Sequence, residues 1–181
     1  MAAQRRRKSD SAPRRSAYAS ALRRLSRRDY AEQELRAALE AEGQPKADID
    51  DAIARVRSLR YLDDRSFAER YTRSRLRSHG QGRGRIRHGL RERGVAPALV
   101  ERAIGDAAKD GSEREALDAL ARKYWRIHAR VEPETRLRRL WVFLLRRGFP
   151  ASAVHERLQK LWPKHGGAIE GLEMTAPEEL D

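Results

Sequence analysis

Arginine is the residue around which any chemistry of this chain has to be built. Between Glu69 and Glu101 the sequence places Arg70, Arg73, Arg75, Arg77, Arg83, Arg85, Arg87, Arg91 and Arg93 against a single carboxylate, Glu92. A guanidinium stays charged at any working pH and offers a planar fork of donors, which suits it to gripping carboxylates and phosphates. It does not suit proton transfer. Arg73 and Arg77 are four residues apart, as are Arg83, Arg87 and Arg91, and that spacing lines up side chains on one face of a helix. At about 100° per residue, Ile86 and Leu90 point to one side, Arg83 and Arg87 border that stripe, and Arg85 points away. Solvated helix faces normally interleave both signs of charge. This one does not, so Arg73, Arg75, Arg77, Arg83, Arg85, Arg87, Arg91 and Arg93 form the candidate site, a basic surface for an anionic partner.

Other candidates are weaker. Gly80, Gly82 and Gly84 could turn backbone N–H groups toward a phosphate at a helix start. No Gly-Lys-Ser/Thr follows and no strand pattern precedes, so the stretch is expected to be a flexible connection between helices. "YLDD", residues 61–64, pairs two carboxylates, but it sits just before an amphipathic segment. The expected role is helix capping by Asp64, with Tyr61 or Leu62 as a hydrophobic staple. His79, His88, His128, His155 and His165 show no metal-ligand spacing, and the chain has no cysteine. No catalytic residue, cofactor or metal is expected, and the chain is not expected to be an enzyme.

The elements that must hold these arginines are helices. β-Branched residues are few, alternation is not sustained, and Ala, Leu, Arg and Glu dominate. Three segments align on a glycine: "LRAALEAEGQPKADIDDAI", "IRHGLRERGVAPALVERAI" and "LWVFLLRRGFPASAVHERL", carrying Gly43, Gly94 and Gly148. Aliphatic residues fall eight and four positions before each glycine and six and ten after it. These are Leu35, Leu39, Ile49 and Ile53; Ile86, Leu90, Val100 and Ile104; Leu140, Leu144, Val154 and Leu158. The pattern predicts two helices joined at a left-handed glycine, with Pro or Ala near the start of the second. A further amphipathic segment precedes each pair, at Ala17–Leu25, Phe67–Leu76 and Ala116–Tyr124.

The expected fold is therefore all-α: three tandem three-helix repeats, resembling helix-turn-helix units, stacked as an elongated, curved array. Repeat one spans 16–64, repeat two, the basic one, 65–112, and repeat three 113–165. Trp125, Trp141, Phe143, Phe149 and Trp162 in repeat three sit among leucines at helical spacing and are expected to be core rather than base-stacking platforms. A basic tail, 1–15, and an acidic tail, 166–181, are expected at the ends.

Charge sets the partner. The net charge is +13 and the pI about 10.9, which makes nucleic acid or another polyanion the leading expectation. Residues 65–104 alone carry eleven arginines and three carboxylates. No apolar run approaches the ~20 residues of a membrane span, and "MAAQRRRKSDSAPRRS" lacks the apolar segment of a secretion signal. A cytoplasmic monomer with no membrane association is expected.

The stretch "YLDDRSFAERYTRSRLRSHGQGRGRIRHGLRERGVAPALVERAI" resembles the signature region of the RecX family of bacterial recombinase regulators, in which Leu-Asp-Asp leads into Phe-Ala, a Gly-containing basic loop, an Arg-Ile-x-x-x-Leu helix and a Gly-Val turn. "ALRRLSRRDYAEQELRAALEAEG" is similar to that family's first repeat, and the likeness runs over about residues 17–162. The loop here is richer in glycine than the family pattern. The resemblance implies binding in the helical groove of a RecA filament on DNA. It also implies down-regulation of RecA-driven strand exchange, ATP hydrolysis and coprotease activity, with single-stranded or duplex DNA as a secondary, electrostatic partner. Two rivals stand beside it: a direct helix-turn-helix DNA-binding protein, and a passive adaptor whose basic surface serves only solubility.

Overall fold

A computed structural model of the chain describes residues 16–171. The basic stretch 1–15 and residues 172–181, with the expectations attached to them, lie outside the described residues. Every regular element described is helical: α1 Ala17–Leu25, α2 Glu32–Ala41, α3 Lys46–Ser58, α4 Asp64–Arg77, α5 Arg83–Arg91, α6 Pro97–Lys109, α7 Ser112–Ile127, α8 Pro133–Arg146, α9 Ala151–Leu161, a 3-10 turn Pro163–His165, and α10 Gly166–Glu170. Helices α1–α3 form one compact unit ending at Asp63, and the helices from α4 onward form a second beginning at Asp64.

The glycine-centred repeat is realised three times. Gly43, Gly94 and Gly148 have φ of +74°, +73° and +86°. In each repeat the glycine N–H donates to the carbonyl three residues back, and the next residue's N–H donates to the carbonyl five back: Gln44 to Leu39, Val95 to Leu90 and Phe149 to Leu144. That double bond pattern satisfies carbonyls the helix end would leave bare. The same leucines are fully buried. One position in each repeat thus closes the turn with its carbonyl and fills the core with its side chain. All twelve aliphatic positions of the pattern are buried, the most accessible being Ile104 at 6%. The following helices begin next to proline, at Pro45, Pro97 and Pro150, where a missing N–H costs nothing.

The first unit's core gathers Ala21, Leu35, Leu39, Ile49, Ile53, Val56 and Leu62, with Tyr18, Leu22, Leu25 and Tyr30 packed against it. Leu62 joins this core while Tyr61 is exposed, so of the two proposed staples only Leu62 is anchored, and it faces backward into repeat one. Asp64 lies in the first turn of α4, where a carboxylate suits the helix dipole.

The second unit contains repeats two and three. The third repeat's core is built on Leu117, Ala121, Leu137, Leu140, Trp141, Leu144, Phe149, Val154 and Leu158, and it extends to Ile169 of α10. Residues 166–170, expected to open an acidic tail, are instead helical, because Ile169 supplies an apolar anchor that completes this core. Trp141 and Phe149 are buried as expected, whereas Trp125, Phe143 and Trp162 only border the core.

The glycine-rich connection between α4 and α5 is a joint, fixed on both sides. Gly82 N donates to Arg147 O at 2.8 Å and Gly84 N to Gly148 O at 2.9 Å. A Cβ on Gly82 would overlap Phe149 N and lie 2.5 Å from Gly148 C; a Cβ on Gly148 would lie 2.5 Å from Arg85 N. Two backbones approach here too closely for any side chain. Beyond the connection expected from the sequence, the glycines let repeats two and three pack backbone to backbone.

Candidate anion-binding surface

Backbone N–H groups at the start of α5 would be the place for a phosphate, and that place is taken. Glu113, at the start of α7, accepts from Arg83 N at 3.0 Å and pairs with the Arg83 guanidinium at 3.1 Å. Its side chain is 10% exposed. A carboxylate from repeat three therefore caps the helix and meets the dipole that an anionic ligand would otherwise use.

The remaining arginines of α5 are also partly engaged. Arg87 forms a two-pronged pair with Glu101 of α6, Nε to Oε1 at 2.7 Å and Nη2 to Oε2 at 2.9 Å. Arg91 reaches the same carboxylate at 3.7 Å. The hydrogen bond from Arg87 holds the Glu101 carboxyl below its usual range, with the charges of Arg87 and Arg91 adding to the effect. Two guanidiniums share one carboxylate, so this corner retains a positive charge. Arg85 is exposed and donates to Arg146 O at 3.2 Å. Arg93, just past the end of α5, donates to Gly89 O at 2.6 Å, tying the following turn to the helix's last turn.

Helix α4 differs. Among the described residues no carboxylate lies within ion-pair distance of Arg73, Arg75 or Arg77. Arg73 and Arg77 are exposed. Arg75 is half-buried with its guanidinium 4.8 Å from the centre of the Tyr71 ring, and Arg93 approaches the same ring at 5.1 Å, a cation–π arrangement that orients a guanidinium without neutralising it. The two ends of α4 are not equivalent. A cleft of about 250 Å³ beside Arg73 is also lined by Glu69, Asp106 and Asp110. Asp110 is held below its usual range by bonds from Ser112, with smaller contributions from the Arg77 and Arg73 charges. At the Arg77 end a cleft of about 500 Å³ opens toward Lys123 and Arg147, and among the described residues no carboxylate lines it.

Helical spacing alone treats the eight arginines as one surface. The structure divides them into Arg83, Arg87 and Arg91, which have carboxylate partners; Arg85 and Arg93, each of which donates to a backbone carbonyl; and Arg73, Arg75 and Arg77, for which neither kind of bond is found among the described residues. It also shows cations outside that set, Arg122, Lys123, Arg126 and Arg147 of repeat three. Arg122, Lys123 and Arg126 share a cleft of about 390 Å³ with Trp125 and Trp162. The signal is present in "ARKYWR", residues 121–126, where cations three and four apart flank a tryptophan. Averaging repeat three with the acidic C-terminal residues hides it.

Three domain descriptions of one family match the chain in order: RecX, first three-helix domain, at residues 17–55; second three-helix domain at 63–104; and third three-helix domain at 112–158. Regulatory protein RecX of Syntrophotalea carbinolica is 35% identical over 144 residues, covering 79% of this chain and 94% of its own. Its namesake from Trichlorobacter lovleyi is 32% identical over the same shares, and that of Mannheimia succiniciproducens is 32% identical over 74% of this chain and 86% of its own. Among solved structures, RecX from Lactobacillus salivarius superposes with a TM-score of 0.67 at 20% identity, covering 87% of this chain and 95% of that one. A second crystal structure titled regulatory protein RecX gives 0.68 at 24% identity over 80% and 71%. At those identities the superpositions speak for the fold. Three glycine-closed three-helix repeats in the family's order, together with relatives above 30% identity along most of their length, place the chain in the RecX family.

Proposed function

We propose that this chain is a cytoplasmic, monomeric regulator that binds RecA recombinase filaments and restrains their strand exchange, ATP hydrolysis and coprotease activity. Family membership and the relatives' name, regulatory protein RecX, support a regulatory role. The observation that carries the proposed filament interface is the α4 face, where Arg73, Arg75 and Arg77 have no carboxylate within ion-pair distance among the described residues. A filament on DNA presents anionic protein and phosphate surface in a groove, and cations without a direct ion pair on a packed helix are ready to meet it. The regulator works by occupancy and performs no reaction of its own.

The exposed side of α6 disfavours direct reading of DNA bases. As the third helix of its unit it would enter the major groove, but its exposed charged residues, Glu101, Arg102, Asp106 and Lys109, sum to zero. A recognition helix needs a cationic or amide-bearing face.

The test compares binding to bare single-stranded DNA, to recombinase alone and to the assembled filament, with filament ATPase as the activity readout. Tightest binding to the filament, with ATPase falling as the chain is added, supports the reading. Equal affinity for bare DNA and filament would favour the direct DNA-binding alternative. No filament affinity at all would favour the passive adaptor.

A further inference from the structure

Helix α7 carries two clefts that share part of their walls. The larger, about 500 Å³, runs from Arg77 and the Gly80–Gln81 turn across Ala116 and Ala119 to Lys123 and Arg147. The smaller, about 390 Å³, continues from Ala119 and Lys123 past Arg122 and Arg126 to Trp125 and Trp162. Ala119 and Lys123 line both, so the two make one groove along the exposed side of α7. From Ala116 to Arg126 the helix rises about 15 Å. Alanines keep the floor low.

Among the described residues the groove has one sign of charge: Arg77, Arg147, Lys123, Arg122 and Arg126 line it, and no carboxylate does. Carboxylates of α7 are directed elsewhere: Glu113 caps α5, and Asp118 forms a two-pronged pair with Arg157 of α9. Glu115 lies a turn before Ala119, outside both linings. Arg147 is fixed by donating to His79 O at 2.8 Å, which aims its remaining donors without neutralising them.

One end of the groove is aromatic. The Arg136 guanidinium lies 3.7 Å from the centre of the Trp125 ring, and Trp125 meets Trp162 with ring centres 4.6 Å apart, tilted by 37°. Both indoles are only half-buried. An acidic protein surface would use the cations and have no need of indoles. A duplex keeps its bases inside. A single strand has a phosphate at each step and bare base faces, and aromatic side chains beside a cationic track are how such strands are held without sequence preference.

We propose that the α7 groove is a binding site for single-stranded nucleic acid, with phosphates against Arg77, Arg147, Lys123 and Arg126 and a base against the Trp125–Trp162 pair. This site is separate from the filament interface proposed for α4 apart from Arg77, and it does not rest on that reading.

The test titrates the full chain with a short oligothymidylate and follows tryptophan emission. Of the three tryptophans, Trp141 is buried, so quenching reports on the other two. Saturable quenching is expected. Lys123→Glu with Arg126→Glu should weaken binding at least tenfold and flatten the log–log salt dependence by about 1.4, near 0.7 for each phosphate no longer neutralised. An abasic sugar–phosphate oligomer of equal length should bind more weakly and leave emission unchanged. Thermal melting checks that the variant is folded; if it is not, Ala119→Glu, which puts a carboxylate on the shared floor, takes its place. Unchanged affinity in the charge-reversed chain, or equal affinity for the abasic oligomer or a duplex, would overturn the proposal. No recombinase is present, so failure here leaves the filament reading standing, and failure of the ATPase test leaves this one standing.

Discussion

In repeat one, Arg24 bonds Glu42 at 2.7 Å, Arg28 bonds Glu34 at 3.0 Å, and Arg36 reaches both Glu32 and Asp50. On α4 of repeat two, Arg73, Arg75 and Arg77 have no such partner among the described residues. The two repeats share a turn, a core pattern and a leucine that closes both, so scaffold does not explain the contrast. Repeat one spends Arg23, Arg24, Arg28, Arg36 and Arg57 on its own carboxylates, where each exposed pair is worth about 0–1 kcal/mol. Repeat two leaves Arg73, Arg75 and Arg77 of α4 open to a partner. The same skeleton therefore carries two electrostatic roles, one inward and one outward.

The sharpest check is that the skeleton really is shared. Leu39→Ala, Leu90→Ala and Leu144→Ala each remove a side chain with no exposed surface, and each should destabilise by about 2–5 kcal/mol, measured by denaturant unfolding. Hydrogen exchange should locate the damage. Leu39→Ala should open the unit ending at Asp63, and the other two the unit beginning at Asp64. Equal stability of all three variants with the parent chain would mean the leucine side chains do not carry the core. Gly82→Ala belongs with them, since its Cβ would overlap Phe149 N; melting of the second unit alone should fall.

Charge reversal tests the contrast itself. Arg73→Glu with Arg77→Glu should lower affinity for the recombinase filament at least tenfold, about 1.4 kcal/mol or more, with little change in melting. If phosphates are the main targets on filament duplex, the salt slope should fall by about two. Arg24→Glu in repeat one should do the reverse, costing up to about 1 kcal/mol of stability through the broken Glu42 pair and leaving filament affinity unchanged. If both variants lose affinity alike, the distinction between inward and outward arginines is wrong.

The helices and their register could be read from residues because glycine spacing and aliphatic period are local properties, and each repeat reinforces the others. Which arginines stay open could not be read that way. Arg83 meets Glu113 thirty residues on, and Arg87 meets Glu101 across a turn between helices; sequence neighbourhood says nothing of either. Gly82 and Gly84 mislead for the same reason, since their purpose is close approach to Gly148 and Phe149, more than sixty residues away. The tryptophans divide by depth. Trp141 faces the core, while Trp125 and Trp162 border a cationic cleft, and periodicity alone places all three on apolar stripes.

A smaller effect comes from a turn that departs from the glycine pattern. After α3 the left-handed position is Arg60, with φ +58°. Its N–H donates to Arg57 O, and Tyr61 N donates to Val56 O, reproducing the closure seen at the glycines. A side chain in that conformation costs roughly 1 kcal/mol. Arg60→Gly should therefore raise the stability of the first unit by up to about 1 kcal/mol in denaturant unfolding, while the second unit is unchanged. A loss of stability would show that the Arg60 side chain compensates its own strain.

The smallest expected effect is on pH, and it links the two kinds of arginine. Glu101 has a folded pKa depressed below 4.5 by Arg87 first and Arg91 after it. A carboxylate depressed on folding adds stability that is fully present above its unfolded pKa and is lost as pH falls through the folded value. At an exposed pair this is a fraction of a kcal/mol. Binding moves the opposite way: protonating Glu101 frees Arg87 and Arg91, so repeat two turns its inward arginines outward. Affinity for a polyanion whose own charge is constant in this range, such as a polysulfonate, should rise as pH falls from neutral through the depressed Glu101 titration. Glu101→Gln should show the raised affinity already at neutral pH and remove the Glu101 contribution to the pH dependence. If the Gln variant binds no better than the parent, Glu101 does not hold those guanidiniums away from an anion, and α5 belongs with α4 as open surface.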